Sequence, residues 1–228
     1  MATLIDGKAI AEKLNQKTVL EVARLKKRGI TPKLGVVLVG DHKPSHLYVK
    51  NKERAAMSLG IDFLLEKVPA NITLPKLINL VAKIQSDPKL TGIIVQLPLP
   101  DHLDTYTVLQ AIRPELDADC LTEVNLGKLF RGNPLVIPPT PGAIISIFEE
   151  LKVSLVGKNV TIVGTGPLVG RPLALILMSE HATVTTCNRK TRGLKEKCRS
   201  ADILISVSRM LLVEEIENPT HCLLSLSL

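Results

Sequence analysis

The fold is decided by the stretch Thr161-Ile-Val-Gly164-Thr-Gly166-Pro-Leu-Val-Gly170. A β-branched strand runs into closely spaced glycines and then into an apolar segment typical of a helix. Such glycines allow a tight turn, let the backbone approach a pyrophosphate and point a helix N-terminus at it. The spacing G-x-G-x-x-x-G is one residue longer than the dinucleotide fingerprint G-x-G-x-x-G. The stretch predicts a nucleotide-binding turn, with a plain structural turn as the alternative.

The predicted strand that follows, at 183–187, ends without an acidic residue. In an NAD site an Asp or Glu normally lies there, close to the ribose 2′-hydroxyl. This chain instead reads Asn188-Arg189-Lys190-Thr191-Arg192, which carries three cations. The pattern favours a 2′-phosphate, and therefore NADP over NAD. The alternative is a solvated start of the next helix, since basic residues continue at Lys195 and Lys197.

Strand and helix patterns alternate through both halves of the chain. Short β-branched runs predict strands, and longer amphipathic segments predict helices. Strands are expected at 34–39, 63–68, 92–97, 159–163, 183–187 and 202–206. Helices are expected from a cap at Asp6 to near Gly29, and at 45–60, 74–86, 104–112, 142–152, 167–179 and 191–199.

This alternation predicts the α/β class, with two α/β domains whose sheets are mostly parallel. The stretch 113–142 is richer in Pro and Gly and weaker in period, so we place the domain junction near 138–141. The first domain is then expected at 1–138. The second, at 139–228, is expected to be a Rossmann-like dinucleotide-binding domain.

Three polar residues share one face of the predicted helix at 45–60. Ser45, Tyr48 and Lys52 fall at i, i+3 and i+7. A lysine beside a tyrosine hydroxyl in a partly desolvated cleft can act as an acid or a base. Gln96 stands at the end of an apolar strand, where ligand sites open in parallel sheets. The alternatives are a solvated helix face and a solvated amide.

Composition bounds the class of protein. The 228 residues are 45% apolar and 22% charged, which excludes a disordered chain. The net charge of +7 favours anionic partners, but an aromatic content of 2% disfavours single-stranded nucleic acid. None of the four cysteines forms a C-x-x-C pair, which predicts free thiols and no metal site. With no secretory h-region and no membrane-length apolar run, we expect a soluble, cytoplasmic protein.

Several motifs occur in the order of one known family. They are Ser45-x-x-Tyr48-x-x-x-Lys52, Gly92-Ile-Ile-Val-Gln96-Leu-Pro-Leu-Pro100, Asp117-Ala-Asp119, Asn125-Leu-Gly127, Pro138-Pro-Thr-Pro141 and Gly164-Thr-Gly-Pro-Leu-Val-Gly-Arg-Pro172. On these motifs the chain resembles the bifunctional methylenetetrahydrofolate dehydrogenase/methenyltetrahydrofolate cyclohydrolases, from about residue 4 to residue 206. The resemblance implies NADP-dependent oxidation of 5,10-methylenetetrahydrofolate, hydrolysis of the methenyl product to 10-formyltetrahydrofolate, and a homodimer.

The resemblance also assigns roles to residues. Lys52 is the key catalytic residue, Tyr48 packs against the folate ring system and Gln96 orients Lys52. Asp119 holds the pterin through its N–H groups, which suits an acceptor-only carboxylate. Substrate contacts are further expected from Ser45, Leu97 and Pro98, and cofactor contacts from Gly164, Thr165, Gly166, Val169, Gly170 and Arg189.

The chain departs from the family pattern at a few positions. Cys120 follows Asp119 where the family usually has glycine, and Asn188-Arg189 stands where a His-Ser pair is common. Arg189 is the candidate replacement partner for a 2′-phosphate. From about residue 207 the tail no longer follows the family, which suggests an incomplete second domain, produced by a frameshift or truncation, with an unpaired sheet edge.

The tail leaves an alternative open. The chain could be a catalytically impaired remnant that only binds ligand or dimerises. A third interpretation, a shikimate-dehydrogenase-like enzyme on a similar two-domain plan, is disfavoured by the Tyr48-x-x-x-Lys52 segment and by the segment from Gln96 to Pro100.

Overall fold

The computed structural model describes residues 4–207 and 222–225. The chain divides into two compact units, one of Gly7–Asn125 and one of Met1–Asp6 with Leu126–Leu228. The junction that the sequence places at 138/139 stays a prediction. Within the described ranges, no helix has both the length and the apolar character needed to cross a membrane.

The unit Gly7–Asn125 is built around a parallel sheet of three strands in the order β2-β1-β3. Its strands are β1 (Lys33–Val39), β2 (Asp62–Val68) and β3 (Gly92–Val95). Its helices are α1 (Gly7–Lys27), α2 (Lys43–Ser58), α3 (Leu74–Gln85) and α4 (Thr105–Gln110), and α5 (Glu123–Phe130) begins at its end. The central strand reads as one apolar run because it is covered on both faces. Val37 and Val39 belong to one core cluster, and Val36 and Leu38 to the other.

The segment after α4 returns to the free side of β3. The Ile93 N–H donates to the Leu116 carbonyl at 2.7 Å, and Ile93 forms a parallel bridge with Asp117. The chain beyond this bridge therefore runs toward the same edge as the carboxyl end of β3. Ligand sites of open parallel sheets form at that edge.

The second unit contains a parallel sheet in the order β5-β4-β6-β7. Its strands are β4 (Asn159–Val163), β5 (Thr183–Cys187), β6 (Ile203–Ser206) and β7 (Cys222–Ser225), and its helices are α6 (Pro139–Glu150), α7 (Gly170–Ser179) and α8 (Leu194–Arg199). Ile144 and Phe148 of α6 pack in one cluster with Ile162, Leu173 and Leu177. The predicted α/β class with parallel sheets is confirmed.

Several elements differ from the sequence-based expectation: most boundaries shift by one to three residues, and one helix was not predicted. Helix α5 lies inside the stretch whose period was too weak to predict one. Helix α6 begins at Pro139 rather than at 142, because proline fits the first helical turn, where its missing N–H is not needed. Helix α7 begins at Gly170 rather than at 167, because residues 164–169 form the glycine turn.

The expected bare edge beside β6 is wrong. A strand of the tail, β7, pairs with β6 in parallel, with Ile203 opposite Cys222 and Ser206 opposite Ser225. The backbone donors and acceptors of β6 are therefore used on both sides. Because β6 is paired with β4 and β7, it offers no unpaired edge for another chain to bind.

Candidate active site

Helix α2 carries the three polar residues singled out in the sequence. Pro44 lies in its first turn, and the i, i+3, i+7 spacing aligns Ser45, Tyr48 and Lys52 along the helix. Ser45 is 1% exposed and Lys52 is partly buried. Tyr48 is 49% exposed, so its ring is free to cover a flat ligand.

A hydrogen-bond network joins α2 to the residues that follow β3. The Lys52 Nζ donates to Gln96 Oε1 at 3.1 Å, and the Gln96 Nε2 donates to the Leu97 carbonyl at 2.8 Å. The same carbonyl accepts from the Ser45 hydroxyl at 3.3 Å. The Leu97–Pro98 peptide is cis, and Pro98 is exposed. Gln96 and Ser45 are thus held by one main-chain oxygen, and Lys52 is joined to it through Gln96.

Asp119 lies within the electrostatic reach of this network. Burial raises the pKa of the Asp119 carboxyl, the nearby Lys52 ammonium lowers it, and the Asp117 carboxylate raises it again. The net effect is a pKa above the ordinary value. When ionised, this carboxylate offers only acceptors, so it can take N–H groups from a ligand.

The residue after Asp119 has an unusual backbone. Cys120 is fully buried and left-handed, with a φ of 58°. Burial, and then the charge of Asp117, raise the pKa of its thiol to about 11, so the thiol stays protonated. Glycine adopts this φ without strain, which explains the glycine that the family pattern usually has here.

Two contributors were missed by sequence reasoning. His42 contacts the Ser45 hydroxyl through its Nδ1 at 2.8 Å. Asp117 is 3% exposed and accepts hydrogen bonds from Thr122 and Asn125. The only signal was the Asp117-Ala-Asp119 motif itself, which did not distinguish the roles of the two acids.

The glycine turn of the second unit is shaped by a close backbone approach. A Cβ on Gly170 would lie 1.9 Å from the Gly164 carbonyl oxygen, so only glycine fits there. A Cβ on Gly166 would meet nothing within 4 Å. The space beside Gly166 is therefore open, as a backbone that receives a pyrophosphate requires. Thr165 accepts from the Arg171 Nε at 3.1 Å, and Val169 is buried.

The loop after β5 lies next to this turn. The Gly164 N–H donates to the Cys187 carbonyl at 2.8 Å, which ties the end of β5 to the first glycine. The Asn188 and Lys190 N–H groups are held by Thr191 Oγ1 and Asn188 Oδ1, each at 2.9 Å. Arg189 is exposed between them. The loop presents a cation where an NAD site would present an acid.

Comparison with known proteins gives two matches to one family. The description "Tetrahydrofolate dehydrogenase/cyclohydrolase, catalytic domain" matches residues 5–119, and "Tetrahydrofolate dehydrogenase/cyclohydrolase, NAD(P)-binding domain" matches residues 138–217. The chain belongs to this family. The second match extends past residue 206, where the sequence analysis places the end of the resemblance.

Individual relatives and solved structures point to the same dehydrogenase/cyclohydrolase family. The bifunctional protein FolD of Streptococcus pneumoniae is 43% identical over 206 residues, which are 90% of this chain and 72% of that protein. The FolD structure from Campylobacter jejuni has a TM-score of 0.88 at 36% identity, covering 90% of this chain and 73% of its own. That of Trypanosoma brucei, solved with NADP and an inhibitor, has a TM-score of 0.87 at 36% identity, covering 91% and 72%. The predicted family and the Rossmann-like second domain are confirmed.

We predict that Asp119→Asn makes the protein more stable at neutral pH and a weaker folate binder. The folded pKa of Asp119 lies above the ordinary aspartate value of 3.8, so the folded state holds the proton more tightly. Its contribution to stability therefore falls as pH rises from 3.8 through the folded pKa. Between pH 4 and pH 8, the variant should lack the part of the pH dependence of thermal unfolding that Asp119 contributes. Its KM for folate should rise about tenfold or more, because a charged hydrogen bond is lost. Exposed Asp101→Asn is the control and should change neither property.

We predict opposite effects from two alanine substitutions in the glycine turn. Gly170→Ala forces a Cβ into the Gly164 carbonyl and should destabilise the unit by about 3 kcal/mol or more. Gly166→Ala meets open space in the protein and should melt like the wild type. Its methyl group should instead weaken NADP binding by about 1–3 kcal/mol, as overpacking does. Thermal melts and NADP titration separate the two, and wild-type NADP affinity in folded Gly166→Ala would contradict the assignment.

Proposed function

We propose that this chain oxidises 5,10-methylenetetrahydrofolate and hydrolyses the product, in one-carbon folate metabolism. A hydride leaves the methylene carbon for NADP⁺, which gives NADPH and the 5,10-methenyl compound. Water then adds to the methenyl carbon, its bond to N5 breaks, one proton is released and 10-formyltetrahydrofolate results. The observation that carries this proposal is the Lys52–Gln96 pair beside the partly buried Asp119, in a chain of the dehydrogenase/cyclohydrolase family.

The folate is held from two sides. The Asp119 carboxylate accepts N–H groups of the pterin, and the half-exposed ring of Tyr48 covers the flat ring system. Ser45 fixes the Leu97 carbonyl, and Leu97 with Pro98 lines the pocket. The net charge of +7 suits a substrate with a glutamate tail and a phosphorylated cofactor.

Lys52 moves the proton in the hydrolysis. Its amine takes a proton from the attacking water, and the resulting ammonium gives a proton to N5 as the carbon–N5 bond breaks. Gln96 Oε1, at 3.1 Å from Nζ, orients the amine in both states, because an amide oxygen accepts from either form.

The cofactor lies on the glycine turn. NADP supplies a hydride acceptor at its nicotinamide ring. The backbone of Gly164, Thr165, Gly166, Val169 and Gly170 holds the pyrophosphate, and the open space beside Gly166 fits this role. Arg189 binds the 2′-phosphate, since a guanidinium forms strong charge-assisted hydrogen bonds with phosphate.

We further propose a homodimer in the cytoplasm. The dimer rests on family membership. The location is supported by Cys120, Cys187 and Cys198, which are buried free thiols, as expected in a reducing compartment.

Cyclohydrolase activity tests the function, because Lys52, Gln96 and Asp119 all lie in the unit Gly7–Asn125. We expect Lys52→Met to lower the rate of methenyltetrahydrofolate loss, above the spontaneous rate, by about 10²–10⁴-fold. Lys50→Met, an exposed position on the same helix, is the matched control and should keep the wild-type rate. A folded wild-type chain with no rate above background would instead favour the impaired remnant.

Cofactor preference tests Arg189. We expect Arg189→Ala to raise the KM for NADP by about ten- to a hundredfold, as loss of a charged hydrogen bond does, and to leave the KM for NAD unchanged. Lys195→Ala on α8 is the control, because it removes a nearby exposed cation. If the two variants raised the KM for NADP equally, the effect would come from the overall positive charge of the loop and helix, and the assignment of Arg189 to the 2′-phosphate would be wrong.

A further inference from the structure

Asp117 is a buried acid to which no role in the reaction has so far been assigned. It is 3% exposed. Its Oδ1 accepts from the Leu121 N–H at 3.1 Å. Its Oδ2 accepts from the Thr122 N–H at 2.8 Å, the Thr122 hydroxyl at 2.8 Å and the Asn125 Nδ2 at 3.0 Å. Four donors therefore converge on this one side chain.

Asn125 is arranged to serve this carboxylate. It is fully buried, and its Nδ2 also donates to the Pro114 carbonyl at 2.8 Å. Its own Oδ1 has no hydrogen-bond partner. A buried acceptor without a partner has lost its bonds to water without replacing them, which is unfavourable. Both N–H groups of the Asn125 amide therefore donate to the segment from residue 114 to residue 117 and hold it in place.

These bonds close a loop around Asp119. On one side, Asp117 is bridged to Ile93 of β3. On the other, the Leu121 and Thr122 N–H groups return to the Asp117 carboxylate. Asp119 lies between these two anchors. Its position relative to the end of β3, and so to Gln96, is set by the bonds to Asp117.

We propose that Asp117 is a positioning residue that fixes the Asp119 carboxylate for folate binding. This inference rests on the proposed function, because it assigns Asp119 to the folate. Asp117 touches no substrate and acts through the loop and through its charge. Two charged groups act on Asp119: Lys52 lowers its pKa and Asp117 raises it.

Thr122 provides the mildest test. Thr122→Val removes the hydroxyl that donates to Asp117 and keeps the shape of the side chain, whereas Thr122→Ser keeps the hydroxyl. We expect the KM for folate to rise about fivefold or more in Thr122→Val and to stay within twofold of wild type in Thr122→Ser. The KM for NADP should not change in either variant. Thr107→Val, which removes a hydroxyl–carboxylate bond to Asp104 on the surface, controls for loss of stability alone.

Asp117→Asn tests the contribution of charge. Removing the Asp117 charge lowers the pKa of Asp119. The acid limb of the pH profile, where the KM for folate rises as Asp119 takes up a proton, should therefore move to lower pH. A residue that only supports the fold would reduce activity without moving that limb. If Asp117→Asn does not fold, the Thr122 pair decides the question.

The outcomes separate this inference from the proposed function. A wild-type chain without folate-dependent activity removes the proposed function itself. An active wild type whose Thr122→Val variant keeps its folate KM within twofold, or shifts it no more than Thr107→Val does, overturns the positioning role. A raised KM in Thr122→Val that Thr122→Ser restores supports it.

Discussion

The hydrogen bond from Lys52 to Gln96 is the contact on which the candidate folate site depends. It joins α2 to Gln96, the residue that directly follows β3. Because β1 and β3 are parallel, both strands deliver their carboxyl ends to one edge, and the segment bridged to Ile93 delivers Asp119 there too. An amide is the suitable partner, since its oxygen accepts from a lysine in either protonation state. A carboxylate in its place would hold the proton on the lysine.

The two units prepare their sites by different physical means. In the unit Gly7–Asn125, hydrogen bonds fix side chains that are partly or fully buried. Burial of the Asp119 carboxyl disfavours its charged form and raises its pKa. In the second unit, side chains are removed. Gly170 allows the helix to approach the Gly164 carbonyl, and the absence of a side chain at Gly166 leaves the backbone accessible. The first arrangement suits recognition of ring substituents, whereas the second suits a charged diphosphate that accepts from main-chain N–H groups.

Much of this architecture could be predicted from the sequence, because strand and helix periods are local properties. The spacing of Ser45, Tyr48 and Lys52 places them along one helix, and an amide after an apolar strand marks a sheet edge. The role of Asp117 could not be read in the same way. Its partners lie four to eight residues further on, in a segment without clear period, and both its burial and its hydrogen bonds to them are set by the folded loop. Helix α5 and strand β7 were missed because pairing and packing, rather than local propensity, stabilise them.

The strand order β2-β1-β3 has a consequence for synthesis of the chain. The two sides of the β1–β3 seam are far apart in sequence: Lys33 and Thr91, which bond to each other there, are separated by 58 residues. At translation rates of about 5–20 residues per second, the β3 side of β1 waits on the order of three to twelve seconds for its partner. During that interval the β3 side of β1, which carries Val36 and Val37, is an unpaired strand edge that can pair with another chain. The β1–β3 pairing therefore cannot form until the chain has been made as far as residue 95, and β1 is not paired on both sides before then.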